Sequence, residues 1–154
     1  MNDKPSDVAI LAWARLMKAQ RRALEGVESD LKAAGFPPLG WYDLLLELSR
    51  CGSRELRPVE IEERLLLAQH NVSRLIDRVE RAGYIERRRC AEDGRGQLVA
   101  LTESGQALLK TMWPVYRTAI GRHVGQHFDL VETEILAALL GRLIPARKSG
   151  EARE

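Results

Sequence analysis

The sequence predicts a mainly α-helical protein with one small β-hairpin, an α+β arrangement, and three stretches carry that prediction. Asp7 to Ala34 repeats apolar residues at helical spacing over more length than a small domain buries by itself. Asn71 to Thr102, NVSRLIDRVERAGYIERRRCAEDGRGQLVALT, sets a short amphipathic helix before two β-prone runs joined through a Gly-Arg-Gly turn. From Asp129 a strongly apolar last helix begins.

Taken in order, Ser6 stands where an N-cap belongs, and Ile10, Met17, Leu24 and Leu31 recur every seven residues with Trp13, Val27 and Ala34 three positions after most of them. Gln20 and Gly26 weaken this face, and Gly35 suits a left-handed terminator. So long a one-sided helix predicts packing against another chain. Phe36-Pro37-Pro38-Leu39-Gly40 breaks it, because proline lacks an amide donor and disfavours helical geometry in the residue before it. Trp41, Leu44, Leu45 and Leu48 mark a second helix ending near Gly52. Leu56 suits a minor strand, and Pro58 suits the first turn of a short third helix with Val59, Ile61 and Leu65.

Leu66-Leu67-Ala68 makes a tight connection into the next helix, where Val72, Leu75, Ile76 and Val79 share one side and His70, Arg74, Asp77, Arg78 and Arg81 the other. Gly83 ends it. Ile85 to Cys90 and Gln97 to Leu101 read as strands around the turn Ala91 to Gly96. Thr102 caps a helix that runs through Ala107, Leu108 and Met112, is open to bending at Pro114 and continues towards His127. Asp129 and Glu132 have capping-box spacing and open a last helix with Leu136, Leu139, Leu140, Leu143 and Ile144, closed by Pro145.

Composition limits what such a chain does. With 45% hydrophobic and 30% charged residues it is not disordered as a whole, and a net charge of only +2 means that a nucleic-acid partner has to be argued from where the arginines sit. Cys51 and Cys90 lie far apart without metal-ligand spacing, and no amino-terminal apolar run precedes a small-residue cleavage site, so a cytoplasmic protein with reduced thiols is expected. No apolar run approaches the roughly 20 residues that cross a bilayer, so no membrane partner is expected. No nucleophile-base pair, phosphate loop or metal triad marks an enzyme, and no cofactor is expected.

Two short helices, a tight turn, a third helix with a polar outer face and a hairpin tipped by an arginine make a winged helix-turn-helix. A helix fits the major groove, where each base pair presents its own donor and acceptor pattern. The candidate DNA contacts on that helix and its approach are Gln69, His70, Asn71, Ser73, Arg74 and Arg78. Arg95 at the hairpin tip, oriented by Asp93, suits the narrower and more electronegative minor groove. Arg87, Arg88 and Arg89 alternate across a strand, so only one face can reach DNA, and the triplet reads as a general electrostatic contribution.

The run ERLLLAQHNVSRLIDRVERAGYIERR, followed by EDGRGQLVALTESGQALL, resembles the DNA-binding core of the MarR family of bacterial transcriptional regulators. The resemblance rests on Arg74-Leu75-Ile76-Asp77-Arg78, on Asp93-x-Arg95, and on Leu101-Thr102-Glu103-x-Gly105, and it extends over most of the chain. It implies long amino- and carboxy-terminal dimerisation helices, residues 1–35 and 102–147, around a winged helix-turn-helix lobe, 36–101, with a flexible tail, 148–154. It also implies a homodimer on a palindromic double-stranded operator, acting as a repressor whose affinity a small aromatic effector alters. Trp13, Trp41 and Tyr42 are the candidate lining of that effector's pocket. Two positions depart from the family pattern: Ala68 stands where Ser or Thr commonly caps the recognition helix, removing about 1 kcal/mol, and Leu66 where the turn often has glycine.

Two rival readings share the scaffold. His123 and His127, four apart on a helix, are weak candidates for a metal, with plain structural histidines the stronger reading, and Cys51 and Cys90 allow a redox sensor. The other rival is a winged-helix module that binds protein rather than DNA.

Overall fold

The computed structural model describes residues 4–68, 70–89 and 96–146. Its first helix, α1 (Asp7–Ala33), begins where the Ser6 hydroxyl accepts the Ala9 amide at 3.2 Å. It ends in a left-handed turn at Gly35, φ +80°, where Gly35 N–H donates to Lys32 and Phe36 N–H to Leu31, so that the last carbonyls keep partners. Of this long helix only Val27 and Leu31 are buried.

Pro38 cannot cap α2 (Leu39–Arg50) with a side chain, and α1 does so instead: the Glu28 carboxylate accepts the Leu39 amide at 3.1 Å. A carboxylate there also meets the positive end of the helix dipole. Then come β1 (Glu55–Leu56), α3 (Pro58–Arg64), α4 (Val72–Arg81), β2 (Ile85–Arg89), β3 (Gln97–Leu101), α5 (Glu103–His123), a 3-10 turn (Gly125–His127) and α6 (Leu130–Gly141). The sheet is antiparallel in the order β1-β3-β2, with Leu56 opposite Val99 and Ile85 opposite Leu101. The predicted class holds: a mainly helical chain with a small β wing.

One core joins α1, the winged lobe and α5. Leu31 of α1, Leu44, Leu45 and Leu48 of α2, Ile61, Ile76, Val99 and Met112 are all essentially inaccessible, so the long helices and the winged lobe share a hydrophobic centre. Each such side chain contributes about 1.5–3 kcal/mol by leaving water.

The start of α5 ties the wing base to the helices. Thr102 Oγ1 accepts the Gly105 amide at 3.1 Å and donates to the Gly83 carbonyl at 2.7 Å, while Thr102 N–H donates to the Tyr84 carbonyl at 3.2 Å. Gly105 is forced by this geometry, because a Cβ there would overlap the Tyr84 carbonyl oxygen.

Two expectations for the carboxy-terminal half need correction. Helix α5 passes through Pro114 and stops at His123 instead of continuing to His127; Gly125, a poor helix former, opens the 3-10 turn. His123 and His127 are therefore not on one continuous α-helix. Helix α6 keeps its predicted capping box, Glu132 N–H to Asp129 Oδ1 at 2.8 Å and Asp129 N–H to Glu132 Oε2 at 3.0 Å, yet buries none of its residues.

Candidate nucleic-acid interface

Helix α4 is amphipathic because Leu75, Ile76 and Val79 recur on one side and reach the core. That burial fixes the other side outward, and Ser73, Arg74, Asp77, Arg78 and Arg81 are all exposed. The helix starts later than the family pattern suggests. Its N-cap is Asn71, whose Oδ1 accepts the Arg74 amide at 3.0 Å, so the cap expected to be missing at Ala68 is supplied three residues further on. Asn71 is thus engaged as a cap, which occupies the side-chain oxygen that a base contact would use. His70 precedes the helix in an exposed bend, and Gln69 lies outside the described residues. Ser73 and Arg74 in the first turn, and Arg78 one turn on, are the predicted contacts that project from the helix itself.

The charges around this face are sorted in a way the sequence leaves open. Asp77 and Glu80, sequence neighbours of Arg78 and Arg81, turn to the strand instead: Arg87 Nη1 donates to Glu80 Oε1 at 2.6 Å, Arg87 Nη2 donates to Asp77 Oδ1, and the Arg87 amide donates to Glu80 Oε2 at 2.8 Å. Among the described residues Arg74, Arg78 and Arg81 have no ion pair, so their positive charge is uncompensated by a direct contact. The strand arginines behave in the opposite sense to the general electrostatic role expected of them. Arg87 is neutralised by α4, and Arg88 pairs with Glu86 and with Glu55 at 2.7 Å. Arg89 alone of the triplet stays exposed without an ion pair among the described residues. Cys90, Asp93 and Arg95 lie outside the described residues.

The three aromatic candidates for a ligand pocket do not converge. Trp13 is exposed on α1, Trp41 packs edge-on against Tyr84 with ring centroids 6.1 Å apart, and Tyr42 is buried in a different cluster. That cluster is Tyr42 with Trp113 and Tyr116 of α5, at centroid distances of 6.4 and 5.0 Å. It forms one wall of a cleft of about 620 Å³, completed by Leu46, Leu66 and Ile120 and by the charged residues Asp43, Glu47, Arg50 and Arg64. Asp43 and Glu47 are 4% exposed, and Asp43 Oδ2 accepts the Leu67 amide at 2.9 Å. Burial pushes the Asp43 carboxyl above its ordinary pKa, partly countered by the backbone amides it accepts from. Burial also raises the phenols of Tyr42 and Tyr116.

His123 has a structural partner. Its Nε2 lies 3.0 Å from Asp30 Oδ2, which also accepts from Arg122 at 2.8 Å, and its ring rests where a Cβ on Gly26 would be. Gly26, read from sequence as a flaw in α1, is what lets α5 approach. Among the described residues no cluster of three or more His, Cys, Asp or Glu is placed to hold a metal. Cys51 is free and half-buried, with Sγ 3.4 Å from the Glu55 carbonyl oxygen.

A core-anchored helix with an exposed basic outer face, backed by a three-stranded wing, defines a winged helix-turn-helix DNA-binding regulator of transcription. The sequence profile of the MarR family matches residues 34–96, and the HTH-type transcriptional regulator YkoM of Bacillus subtilis is 30% identical over 121 residues, 79% of this chain and 77% of YkoM. The chain belongs to the MarR family, whose members are transcriptional regulators rather than enzymes. Several solved structures share its fold. Sco3205, a MarR family regulator from Streptomyces coelicolor solved in complex with DNA, superposes with a TM-score of 0.80 at 23% identity, covering 92% of this chain and 91% of Sco3205. BpsR of Bordetella bronchiseptica, whose DNA binding is regulated by 6-hydroxynicotinic acid, superposes with a TM-score of 0.76 at 19% identity, covering 91% of this chain and 97% of BpsR. Among the described residues no helix is long and apolar enough to cross a membrane.

Proposed function

We propose that this regulator acts as a homodimer on a palindromic operator in double-stranded DNA, in the cytoplasm, as a repressor whose hold on DNA is altered by a small ligand. The observation that carries the DNA reading is the sorting of charge on α4. Arg74 and Arg78 project outward without a carboxylate partner among the described residues, while Arg87 takes both acids of the same helix. Ser73 and Arg74, in the first turn, are assigned to base edges, and Arg78 to phosphate. Arg95, with Asp93 as its orienting partner, is assigned to the minor groove beside the wing.

The dimer reading is supported by the apolar surface left on one chain. Ile10, Trp13 and Met17 of α1 and Leu130, Ile135 and Leu139 of α6 are exposed, and exposed apolar surface of this kind marks interaction sites. A second copy is the partner assigned to it, because a two-fold pair presents two recognition helices to one face of the duplex. Ligand response is supported by the cleft between α2 and α5 and by the behaviour of BpsR. The test is selection of bound sites from random duplex DNA, with footprinting and sedimentation of the complex. An inverted repeat with half-site centres roughly 10 base pairs apart, bound by two chains, is the expected result. A single asymmetric half-site, or no enriched site, would overturn it.

A further inference from the structure

The geometry points to Asn71 as a specificity-determining residue that reads a guanine through its amide nitrogen, and not an adenine as an asparagine with both ends free does. This deepens the reading of α4 as the recognition helix and rests on it. Asn71 is exposed at the N-terminal end of α4, the end from which helix-turn-helix recognition helices reach base edges. Its orientation is fixed by chemistry: only the oxygen of a carboxamide accepts an amide hydrogen, so the atom 3.0 Å from the Arg74 nitrogen is Oδ1. Oxygen and nitrogen leave the carboxamide carbon in divergent directions. With Oδ1 turned in to the helix backbone, Nδ2 and its two hydrogens turn away from it.

That division decides the base. An asparagine recognises adenine when its nitrogen donates to N7 while its oxygen accepts from the N6 amino group. In Asn71 the helix cap has taken the oxygen, and a donor is left. Adenine sets an amino group beside its one acceptor, against the Asn71 nitrogen, and cytosine shows an amino group alone. Thymine has a single acceptor next to its methyl group, whereas guanine has two acceptors side by side, N7 and O6.

The rest of the outward face carries the same bias. Asp77 and Glu80, the acids of α4, are turned to Arg87 of the strand. Arg74 and Arg78 remain as donors, and the Ser73 hydroxyl is the one exposed group of the first turn that both donates and accepts. Asn71 and Arg74 stand three residues apart, neighbours on a helix surface, so their contacts fall on neighbouring base pairs. Two donor side chains there fit a pair of guanines in each half-site.

Site selection from random duplex DNA, run in parallel with the wild-type chain, Asn71→Ser and Asn71→Asp, reads this out. All three side chains cap helices, so α4 keeps its start, with circular dichroism as the control. Serine uses its one hydroxyl on the cap, so the position whose preference Asn71→Ser erases belongs to Asn71. The wild-type chain is expected to favour guanine there over adenine by about tenfold. Asn71→Asp exchanges the donor for an acceptor and should move the preference to cytosine, whose amino group a carboxylate accepts from. A second arm needs no variant: each half-site purine is replaced in turn by its 7-deaza analogue, which lacks the N7 acceptor. Severalfold losses of wild-type affinity at two neighbouring guanines are expected. Adenine at the Asn71 position, a preference unmoved by both substitutions, or only one sensitive guanine would overturn the assignment. If the variants do not fold, the second arm decides. A chain that selects no site overturns the DNA reading and this assignment together, whereas a defined site with adenine at that position overturns this assignment alone.

Discussion

The carboxylate of Asp43 on α2 accepts the amide hydrogen of Leu67 at 2.9 Å, fastening the turn between α3 and α4 to a helix 24 residues earlier in the chain. Burial is the largest influence on this carboxyl and raises its pKa; the amides of Leu67 and Leu66 lower it, Glu47 raises it and Arg50 lowers it. The native state therefore holds its proton to higher pH than the unfolded chain does. Between the ordinary aspartate pKa of about 3.9 and the raised native value, folding binds a proton, so this group's contribution is fully present below that window and is lost as pH rises through it. Asp43→Asn keeps the acceptor and removes the titration. The stability difference, Asp43→Asn minus wild type, should rise with pH across the window and level off above it. Urea unfolding of both proteins at a series of pH values measures it, and a difference independent of pH would refute the assignment.

A matched pair of glycine substitutions tests the junction at the start of α5. Gly105→Ala places a Cβ into the Tyr84 carbonyl oxygen, and backbone has to move to admit it, so a loss of about 1–3 kcal/mol is expected. Gly121 lies in the same helix with open space around it, and Gly121→Ala should gain about 0.5–1 kcal/mol. Denaturation midpoints shifting in the same direction for both would show that helix propensity, and not the close approach, governs position 105.

The Arg87 network gives a prediction about DNA affinity from a residue assigned no DNA contact. Arg87→Ala keeps the backbone amide to Glu80 but removes the guanidinium that neutralises Asp77 and Glu80 beside Arg74 and Arg78. Roughly 1 kcal/mol of added repulsion from phosphate, about fivefold in Kd, is expected at low salt. The loss should fade near 1 M salt, where screening acts within about 3 Å. Adding Asp77→Asn and Glu80→Gln to Arg87→Ala should restore affinity. Binding isotherms at several salt concentrations decide, and a loss that persists at high salt or survives the triple substitution would mean that Arg87 acts on shape instead.

Local signals were the legible ones. Ser6, Thr102 and Asp129 cap helices whose amides lie three residues away, and each is found where its side-chain chemistry places it. The cap of α4 was obscured by the family pattern, which pointed to Ala68, although Asn71 directly before Val72 satisfies the local rule. Asp43 and Glu47 also left a signal, two acids four apart within the apolar run Trp41 to Leu48. Partners distant in sequence left none. Glu28 caps a helix 11 residues on and Asp30 meets His123 across 93, so Gly26 read as a defect before the ring resting on it was visible. Alternation along β2 told that the strand arginines divide between faces, but not that α4 would neutralise Arg87.

The division of labour between recognition helix and wing is the remaining test. Arg74 is exposed in the first turn of α4, its own amide fixed by the Asn71 cap, so its side chain leaves the helix from a rigid base. In the major groove a bidentate contact to guanine is worth about 1–3 kcal/mol of discrimination, so Arg74→Ala should narrow the gap between operator and random duplex by roughly tenfold to a hundredfold. Arg95, assigned to groove shape and phosphate charge, should behave differently: Arg95→Ala should weaken binding to both duplexes and flatten the dependence on salt. Asp93→Ala should resemble a milder Arg95→Ala, because it removes the orienting partner and leaves the charge. Each variant is titrated against operator and scrambled duplex at several salt concentrations, with circular dichroism as the control for folding. An Arg95→Ala protein with unchanged affinity and unchanged salt slope would show that the hairpin does not touch DNA, and would favour a winged-helix module that binds protein instead.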